Sequence, residues 1–144
     1  MFNDIVKIGV VGAGKLGSYH IQKLLSKENC DFIGIYDVDL KIMKDFEDRY
    51  NINIFNDLES IIRECDAIVI ATPTIYHYDI AKNALDNGLH VFIEKPITDN
   101  LDNALDLSAM AQKNNKIIQV GHIERFNGAF IEALKYIDEP KFIE

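Results

Sequence analysis

Short runs of apolar and β-branched residues alternate along the chain with longer segments in which apolar residues recur every three or four positions. The short runs are typical of buried strands, and the longer segments are typical of helices with one apolar face. The pattern predicts six strands, at residues 5–11, 32–36, 52–55, 67–71, 90–93 and 117–120. Strands that alternate with helices predict a parallel sheet, because each crossover helix returns the chain to the same end of the sheet.

Helices are predicted between these runs from the apolar spacing and from residues that can cap a first turn. The predicted helices begin after Gly14, near residue 40, after Asp57, near residue 74, after Thr98 or Asp99, and near residue 130. Right-handed crossovers place such helices on both faces of a parallel sheet. The expected fold is therefore an α/β doubly wound sheet of six parallel strands, with its ligand beyond the carboxyl ends of the strands.

Composition narrows the class of protein to a single globular domain. The chain has 144 residues, of which 48% are hydrophobic and 26% are charged. No apolar run approaches the roughly 20 residues of a membrane span, and the N-terminus has no secretory-signal pattern, so we expect a cytoplasmic protein without a membrane partner. The net charge of -8 argues against nucleic acid as a partner. The two cysteines, Cys30 and Cys65, indicate neither a disulfide nor a metal site.

Three glycines follow the first predicted strand in the pattern GxGxxG. Gly12 permits a tight turn, Gly14 lets the backbone approach a pyrophosphate, and Gly17 allows the following helix to pack closely. Lys15 and Leu16 lie in the first turn of that helix, where free N–H groups and a partial positive charge face the ligand. The pattern alone is weak, but its position between a strand and a helix predicts a dinucleotide site of the Rossmann type.

Asp37 ends the second predicted strand, twenty positions after Gly17. A carboxylate at this place can accept hydrogen bonds from both hydroxyls of the adenosine ribose, and it repels the additional phosphate of NADP. NAD is therefore the expected cofactor, in preference to NADP. The alternative role of Asp37 is to cap the helix that begins near residue 40. Methyltransferases also combine a glycine loop with an acidic residue here, so these features predict nucleotide binding but not hydride transfer.

Three further segments follow later predicted strands, at residues 71–77, 94–96 and 121–127. Together with the glycine pattern and Asp37, they resemble the N-terminal domain of the Gfo/Idh/MocA superfamily, which includes glucose-fructose oxidoreductase and inositol dehydrogenase. The resemblance covers essentially the whole chain in order, and Glu94-Lys95-Pro96 is its most specific element. It implies an oxidoreductase that transfers a hydride between NAD(H) and a sugar or nucleotide sugar.

The resemblance also implies which residues contact the nicotinamide half of the cofactor. The segment after the fourth predicted strand runs along this half, and the glutamate after the fifth lies near the nicotinamide ribose. The residues so implied are Ala71, Thr72, Pro73, His77 and Glu94. For His77, a place in the core or on a helix surface is at least as well supported as a cofactor contact.

Lys95 is the expected catalytic residue, because the resemblance implies that it faces the substrate. An ammonium group beside a reacting hydroxyl can donate a hydrogen bond to it and stabilise alkoxide character as the C–H bond breaks. The alternative is a surface lysine that follows a strand. Pro96 is compatible with a tight turn that presents the lysine side chain.

His122, Arg125 and Asn127 follow the sixth predicted strand and are the expected substrate contacts. The resemblance implies a sugar-derived substrate, to which Arg125 offers a planar donor for phosphate or carboxylate and Asn127 offers an amide that reads hydroxyls. For Arg125 the alternative is an ion pair with Glu124 or Asp138. For Asn127 the alternative is a helix cap.

The expected domain boundary lies near Pro140. Residues 1–140 form the predicted NAD(P)-binding domain, and residues 141–144 begin the α+β substrate domain that the resemblance implies. That domain would supply further proton-transfer groups and the usual surface for homo-oligomer formation, so we expect this chain to bind cofactor without turnover. The leading alternative is a non-enzymatic NAD-binding regulator or redox sensor. Methyl transfer is a third possible function, in which Lys95 has no role.

Overall fold

A computed structural model describes residues 5–137. Within this range the chain forms five strands, which are β1 (Val6–Val11), β2 (Cys30–Tyr36), β3 (Ala67–Ile70), β4 (His90–Ile93) and β5 (Ile118–Val120). The six α-helices in the same range are α1 (Lys15–Leu25), α2 (Leu40–Tyr50), α3 (Leu58–Glu64), α4 (His77–Asp86), α5 (Leu101–Lys113) and α6 (Gly128–Leu134). Two short 3-10 helices cover Thr74–Tyr76 and Ile123–Phe126.

The five strands form one parallel sheet in the order β2-β1-β3-β4-β5. The chain first moves outward from β1 to β2, and it then crosses to the other side of β1 to form β3. Open α/β sheets bind ligands at such a change of direction, beyond the carboxyl ends of the strands. The residues that follow the five strands therefore gather at one edge, which we call the carboxyl edge.

Apolar side chains cover both faces of the sheet, because neighbouring residues of a strand point to opposite faces. In β1, Val10 packs in a cluster with Ile21 of α1 and Met43 of α2. Its neighbour Val11 packs in a second cluster with Ile61 of α3, and that cluster includes residues of α4 and α5. Burial on both faces explains the continuous apolar runs of the central strands. The predicted α/β sheet, with helices on both faces, is confirmed.

The predicted strand at residues 52–55 is wrong, and the sheet within residues 5–137 has five strands instead of six. This segment makes a single bridge, in which the N–H of Ile35 donates to the carbonyl of Asn53 and the N–H of Phe55 donates to the carbonyl of Ile35. The side chain of Asn53 donates to the carbonyl of Ile33 at 3.0 Å. That carbonyl is the acceptor that the next rung of a parallel ladder would use, so the side chain of Asn53 competes there with further pairing.

Two predicted helix caps have different outcomes. The cap at Asp57 is confirmed, because its carboxylate accepts from a backbone N–H in the first turn of α3 at 2.7 Å. The predicted cap of the fifth helix at Thr98 or Asp99 is wrong. Asn100 caps α5 instead, and its side chain accepts from a backbone N–H in the first turn at 2.9 Å.

The last predicted helix corresponds to α6, which ends at Leu134. Pro140 and the strand expected to begin at residues 141–144 lie outside the described residues. Among the helices of residues 5–137, none has the length and apolar character needed to cross a membrane.

Candidate functional site

The loop between β1 and α1 turns sharply at Gly12 and packs closely at Gly17. Gly12 has a φ of +91°, and a Cβ at this residue would lie 2.7 Å from the carbonyl carbon of Ala71. A Cβ at Gly17 would collide with the carbonyl oxygen of Gly12. Both neighbours are backbone atoms, which cannot move aside as the end of a flexible side chain can. The two glycines therefore hold the start of α1 against the end of β1.

Gly14 lies at the N-cap of α1 and faces open space. Apart from its two chain neighbours, no residue of the range 5–137 has an atom within 4 Å of the position that a Cβ would take here, and none of their side chains caps the helix. The first N–H groups of a helix, which here include those of Lys15 and Leu16, have no intrahelical partner. They also carry the partial positive charge of the helix N-terminus. The loop thus has the space, the donors and the charge to hold a phosphate group.

Asp37 follows β2 and lies beside this glycine loop. One of its carboxylate oxygens accepts from the N–H of Ala13 at 2.6 Å, and the other accepts from the N–H of Asp39 at 2.9 Å. Asp37 does not cap α2, because Asp39 fills that role and accepts from the N–H of Lys41 at 2.9 Å. A carboxylate oxygen can accept two hydrogen bonds, so Asp37 keeps acceptor capacity for a ligand.

A cleft of about 420 Å³ extends along the carboxyl edge from the glycine loop to the segment after β3. The predicted site residues that line it are Gly12, Gly14, Asp37, Ala71, Thr72 and Pro73. Among the described residues, the buried hydroxyl of Thr72 has no hydrogen-bond partner. An unsatisfied buried polar group is costly, and a bound ligand with a polar group at this place would remove that cost.

Glu94 and Lys95 follow β4, farther along the carboxyl edge, and neither lines the cleft. Glu94 is only 6% exposed. Its carboxylate lies 2.8 Å from Nε2 of His20 and accepts from the N–H of Lys95 at 3.3 Å. The side chain of Lys95 is exposed and forms no ion pair with any residue of the range 5–137. The peptide bond between Lys95 and Pro96 is cis.

His77 is buried in the first turn of α4 and is only 1% exposed. Its Nδ1 lies 2.9 Å from the carbonyl oxygen of Pro96, and its Nε2 lies 2.9 Å from that of Thr72. This place matches the core alternative for His77, since the ring contacts two loops and does not line the cleft. The ring therefore lies between the segment after β3 and the turn after β4. Since a neutral imidazole carries one N–H, it donates to one of these two carbonyls at a time.

His122, Arg125 and Asn127 lie after β5, and all three are exposed. Asn127 caps α6 through a hydrogen bond from the N–H of Ala129, and its amide donates to the carboxylate of Glu124 at 2.7 Å. The helix-cap alternative for Asn127 is therefore present in the structure. Within residues 5–137, Arg125 makes no ion pair with Glu124. Asp138, the other alternative partner, lies outside the described residues.

His20 of α1 also contacts one of these residues, Glu94. Its position in the helical pattern of α1 does not by itself predict a role at the site. The signal in the sequence is a polar ring in line with Leu16 and Leu24, four positions to either side. Because i and i+4 positions share one helix face, a polar residue in an otherwise apolar line indicates a polar partner in the fold. That partner is Glu94.

Comparison with known families agrees with this geometry. The model of the Gfo/Idh/MocA family, described as an oxidoreductase family with an NAD-binding Rossmann fold, matches residues 6–122. The chain belongs to this family. The resemblance inferred from the glycine pattern, Asp37 and Glu94-Lys95-Pro96 is thereby confirmed.

Similar proteins include named dehydrogenases. The chain is 30% identical over 137 residues to UDP-N-acetylglucosamine 3-dehydrogenase of Acidithiobacillus ferrooxidans, an alignment that covers 95% of this chain and 42% of that protein. It is 33% identical over 144 residues to scyllo-inositol 2-dehydrogenase (NAD(+)) of Bacillus subtilis, with coverage of 92% and 40%. The chain thus spans about two fifths of the length of these curated relatives.

Solved structures of dehydrogenases share the fold. The structure of the Acidithiobacillus ferrooxidans enzyme superposes with a TM-score of 0.85 at 29% identity, over 93% of this chain and 44% of that one. A dehydrogenase from Clostridium difficile superposes with a TM-score of 0.88 at 26% identity, over 94% of this chain and 45% of that one.

Proposed function

We propose that this chain binds NAD(H) along its carboxyl edge and forms the cofactor domain of a dehydrogenase that acts on a sugar or nucleotide sugar. The observation that carries the proposal is the uncapped start of α1 at Gly14, which faces open space beside the carboxylate of Asp37. A dinucleotide needs both features, because its pyrophosphate is anionic and its adenosine ribose presents two hydroxyl donors.

The residues that line the cleft fit the adenosine and pyrophosphate part of the cofactor. The N–H groups at the start of α1 would hold the pyrophosphate, and Asp37 would accept from the ribose hydroxyls. The unpartnered hydroxyl of Thr72 would meet a polar group farther along the cleft. NAD is preferred to NADP, because a phosphate on the adenosine ribose would lie against the anionic side chain of Asp37.

Lys95 is the proposed catalytic residue. A bound nicotinamide ring supplies the hydride acceptor or donor, and the protein must orient the reacting carbon and handle the proton. The ammonium of Lys95 is exposed at the same edge and has no carboxylate partner within residues 5–137. It can therefore donate to a substrate hydroxyl and stabilise the negative charge that develops on that oxygen.

The proposed substrate class follows from the relatives and from the segment after β5. One relative is named for a UDP-sugar and another for an inositol, and both compounds carry several hydroxyls. His122 and Arg125 present exposed donors at the carboxyl edge, whereas the amide of Asn127 already caps α6. Compared with Asn127, Arg125 is thus better placed to bind a phosphate or carboxylate of the substrate.

The domain organisation is also a proposal. Residues 1–140 form the cofactor domain, and residues 141–144 lead into a substrate domain. The relatives support this arrangement, because the chain matches about two fifths of their length. We expect the 144-residue chain to bind NADH without sustained turnover, since most of the substrate pocket would come from the second domain. Steady oxidation of any sugar by this chain would contradict that expectation.

Cofactor titration tests the proposal directly. Calorimetry with NADH, NADPH and S-adenosylmethionine should show binding of NADH, much weaker binding of NADPH and none of S-adenosylmethionine. Asp37→Ala should weaken NADH binding by about tenfold or more, because hydrogen bonds to a charged group are lost. Asp31→Ala is the matched control, since Asp31 is exposed at the opposite end of β2. Preference for S-adenosylmethionine, or equal binding of NADPH, would refute the assignment.

A further inference from the structure

The carboxylate of Glu94 is enclosed on several sides. His20 of α1 lies 2.8 Å from one carboxylate oxygen. The other oxygen faces the residue that follows β5, since a Cβ at Gly121 would approach it to 3.1 Å. The ring of His20 also packs edge-on against Phe92, with centroids 5.1 Å apart and planes at 63°. Glu94 therefore has little freedom, and the orientation of its polar partner His20 is itself fixed by packing.

The hydrogen bond has a defined direction. An ionised carboxylate only accepts, so Nε2 of His20 is the donor. A buried carboxylate that lost this donor would keep only the N–H of Lys95, at 3.3 Å, among the hydrogen bonds of residues 5–137. Because burying a charge without partners is costly, Glu94 would then move or take up water.

A second histidine contacts the turn after β4 from its other side. His77 of α4 contacts the carbonyl of Pro96 at 2.9 Å. The backbone of Lys95 therefore lies between Glu94, which His20 contacts, and Pro96, which His77 contacts. One imidazole comes from the helix that begins at the glycine loop, and the other comes from the helix that follows the loop after β3.

We infer that His20 is a positioning residue, which holds the carboxylate of Glu94 and the turn of Lys95 at a set distance from the glycine loop. The role rests on the proposed function. The helix α1 carries the phosphate-binding turn at its start and His20 in its second turn. The helix α1 thus positions both the proposed site for the pyrophosphate and, through His20, the carboxylate of Glu94, which is expected near the nicotinamide half of the cofactor. Loss of the contact should affect that half alone.

Binding of two ligands, NADH and ADP, distinguishes a positioning role of His20 from a general effect of its substitution on the fold. NADH spans both halves of the site, whereas ADP carries only the adenosine and the two phosphates. His20→Leu keeps an apolar side chain against Phe92 and removes the donor. We expect it to weaken NADH binding about tenfold and to change ADP binding by less than about twofold. His20→Gln, which keeps an N–H donor at similar reach, should recover most of the NADH affinity.

Matched variants complete the test. Gln22→Ala on the exposed face of α1 should leave both ligands unaffected. In a Glu94→Gln background, His20→Leu should cause little further loss of NADH affinity, because the two residues act through one contact. Equal loss of NADH and ADP, or no loss of either, would overturn the role of His20 while leaving the proposed function intact. Failure of the unaltered chain to bind NADH would overturn the proposed function itself.

Discussion

Alanine substitutions at Gly14 and Gly17 should separate the two functions of the glycine loop. At Gly17 the new methyl group would collide with the carbonyl oxygen of Gly12 and lie 2.8 Å from its carbonyl carbon. The start of α1 would have to move away by on the order of 1 Å before these atoms reached van der Waals separation. At Gly14 the methyl group would meet no atom of the described residues within 4 Å, apart from the two chain neighbours.

The magnitudes follow from these contacts. Overpacking of this kind costs about 1–3 kcal/mol, so Gly17→Ala should lower the melting temperature by about 3–9 °C. For Gly14→Ala, the poorer helix cap and the reduced entropy of the unfolded chain act in opposite directions, and the free energy of unfolding should change by less than about 1 kcal/mol. The methyl group would nevertheless occupy the space proposed for the pyrophosphate, so NADH binding should fall by at least about tenfold.

Thermal unfolding without ligand and fluorescence titration with NADH measure the two effects separately. Gly128→Ala is the control, because its Cβ also meets no atom within 4 Å and it lies in α6, away from the cleft. An unchanged melting temperature in Gly17→Ala would refute the close packing of α1. Unchanged NADH affinity in a folded Gly14→Ala variant would refute the approach of the pyrophosphate over this residue.

Two further predictions concern the thiols and a helix cap. Burial raises the pKa of the Cys65 thiol to about 12, so only about one thiol in ten thousand is ionised at pH 8. In the folded protein, Ellman's reagent should therefore modify Cys30 first and should reach Cys65 only on unfolding. Equal rates of modification for the two thiols would contradict this prediction. Asn100→Ala should lower the free energy of unfolding by about 1 kcal/mol in urea denaturation, because α5 loses its cap. Asp99→Ala should change the free energy of unfolding by less than about 0.5 kcal/mol. A larger loss for Asp99→Ala than for Asn100→Ala would contradict the assignment of the cap to Asn100.

The sheet and its carboxyl edge could be predicted because both depend on local pattern. Strands that are buried on both faces appear as continuous apolar runs, and β1 and β4 were predicted to within one residue of their bounds. In a parallel sheet every strand ends at the same edge, so segments that follow strands must meet. That rule brought Asp37, Thr72 and Glu94 to one edge without any knowledge of the contacts among them.

The extra strand at residues 52–55 could not be rejected from its apolar pattern. Ile52 and Ile54 have the alternation of a strand, and Ile54 does pair once, with Ile35. Where the next rung would form, the side chain of Asn53 donates to a backbone carbonyl twenty residues earlier in the chain. Hydropathy does not record competition for a hydrogen-bond acceptor, so periodicity alone gives the wrong answer here.

The cap of α5 illustrates a second local ambiguity. Thr98, Asp99 and Asn100 are consecutive, and each type of side chain can cap a helix. The hydroxyl of Thr98 donates to the carbonyl of Asn100 at 2.6 Å, which leaves the side chain of Asn100 to accept from the first turn. The choice depends on which residue has extended backbone next to the helix, and a run of capping residues does not specify that.

The histidines show why the support of the site is harder to predict than its position. His20 and Glu94 are 74 residues apart in the chain, and His77 and Pro96 are 19 apart. Helical spacing placed both rings on helices but could not name their partners, because those partners follow strands whose neighbours are set by the order of the sheet. A residue that contacts the ligand can be found from its place after a strand. A residue that positions such a contact residue is found only when the topology brings two distant segments together. The sequence alone therefore could not identify His20 as the partner of Glu94.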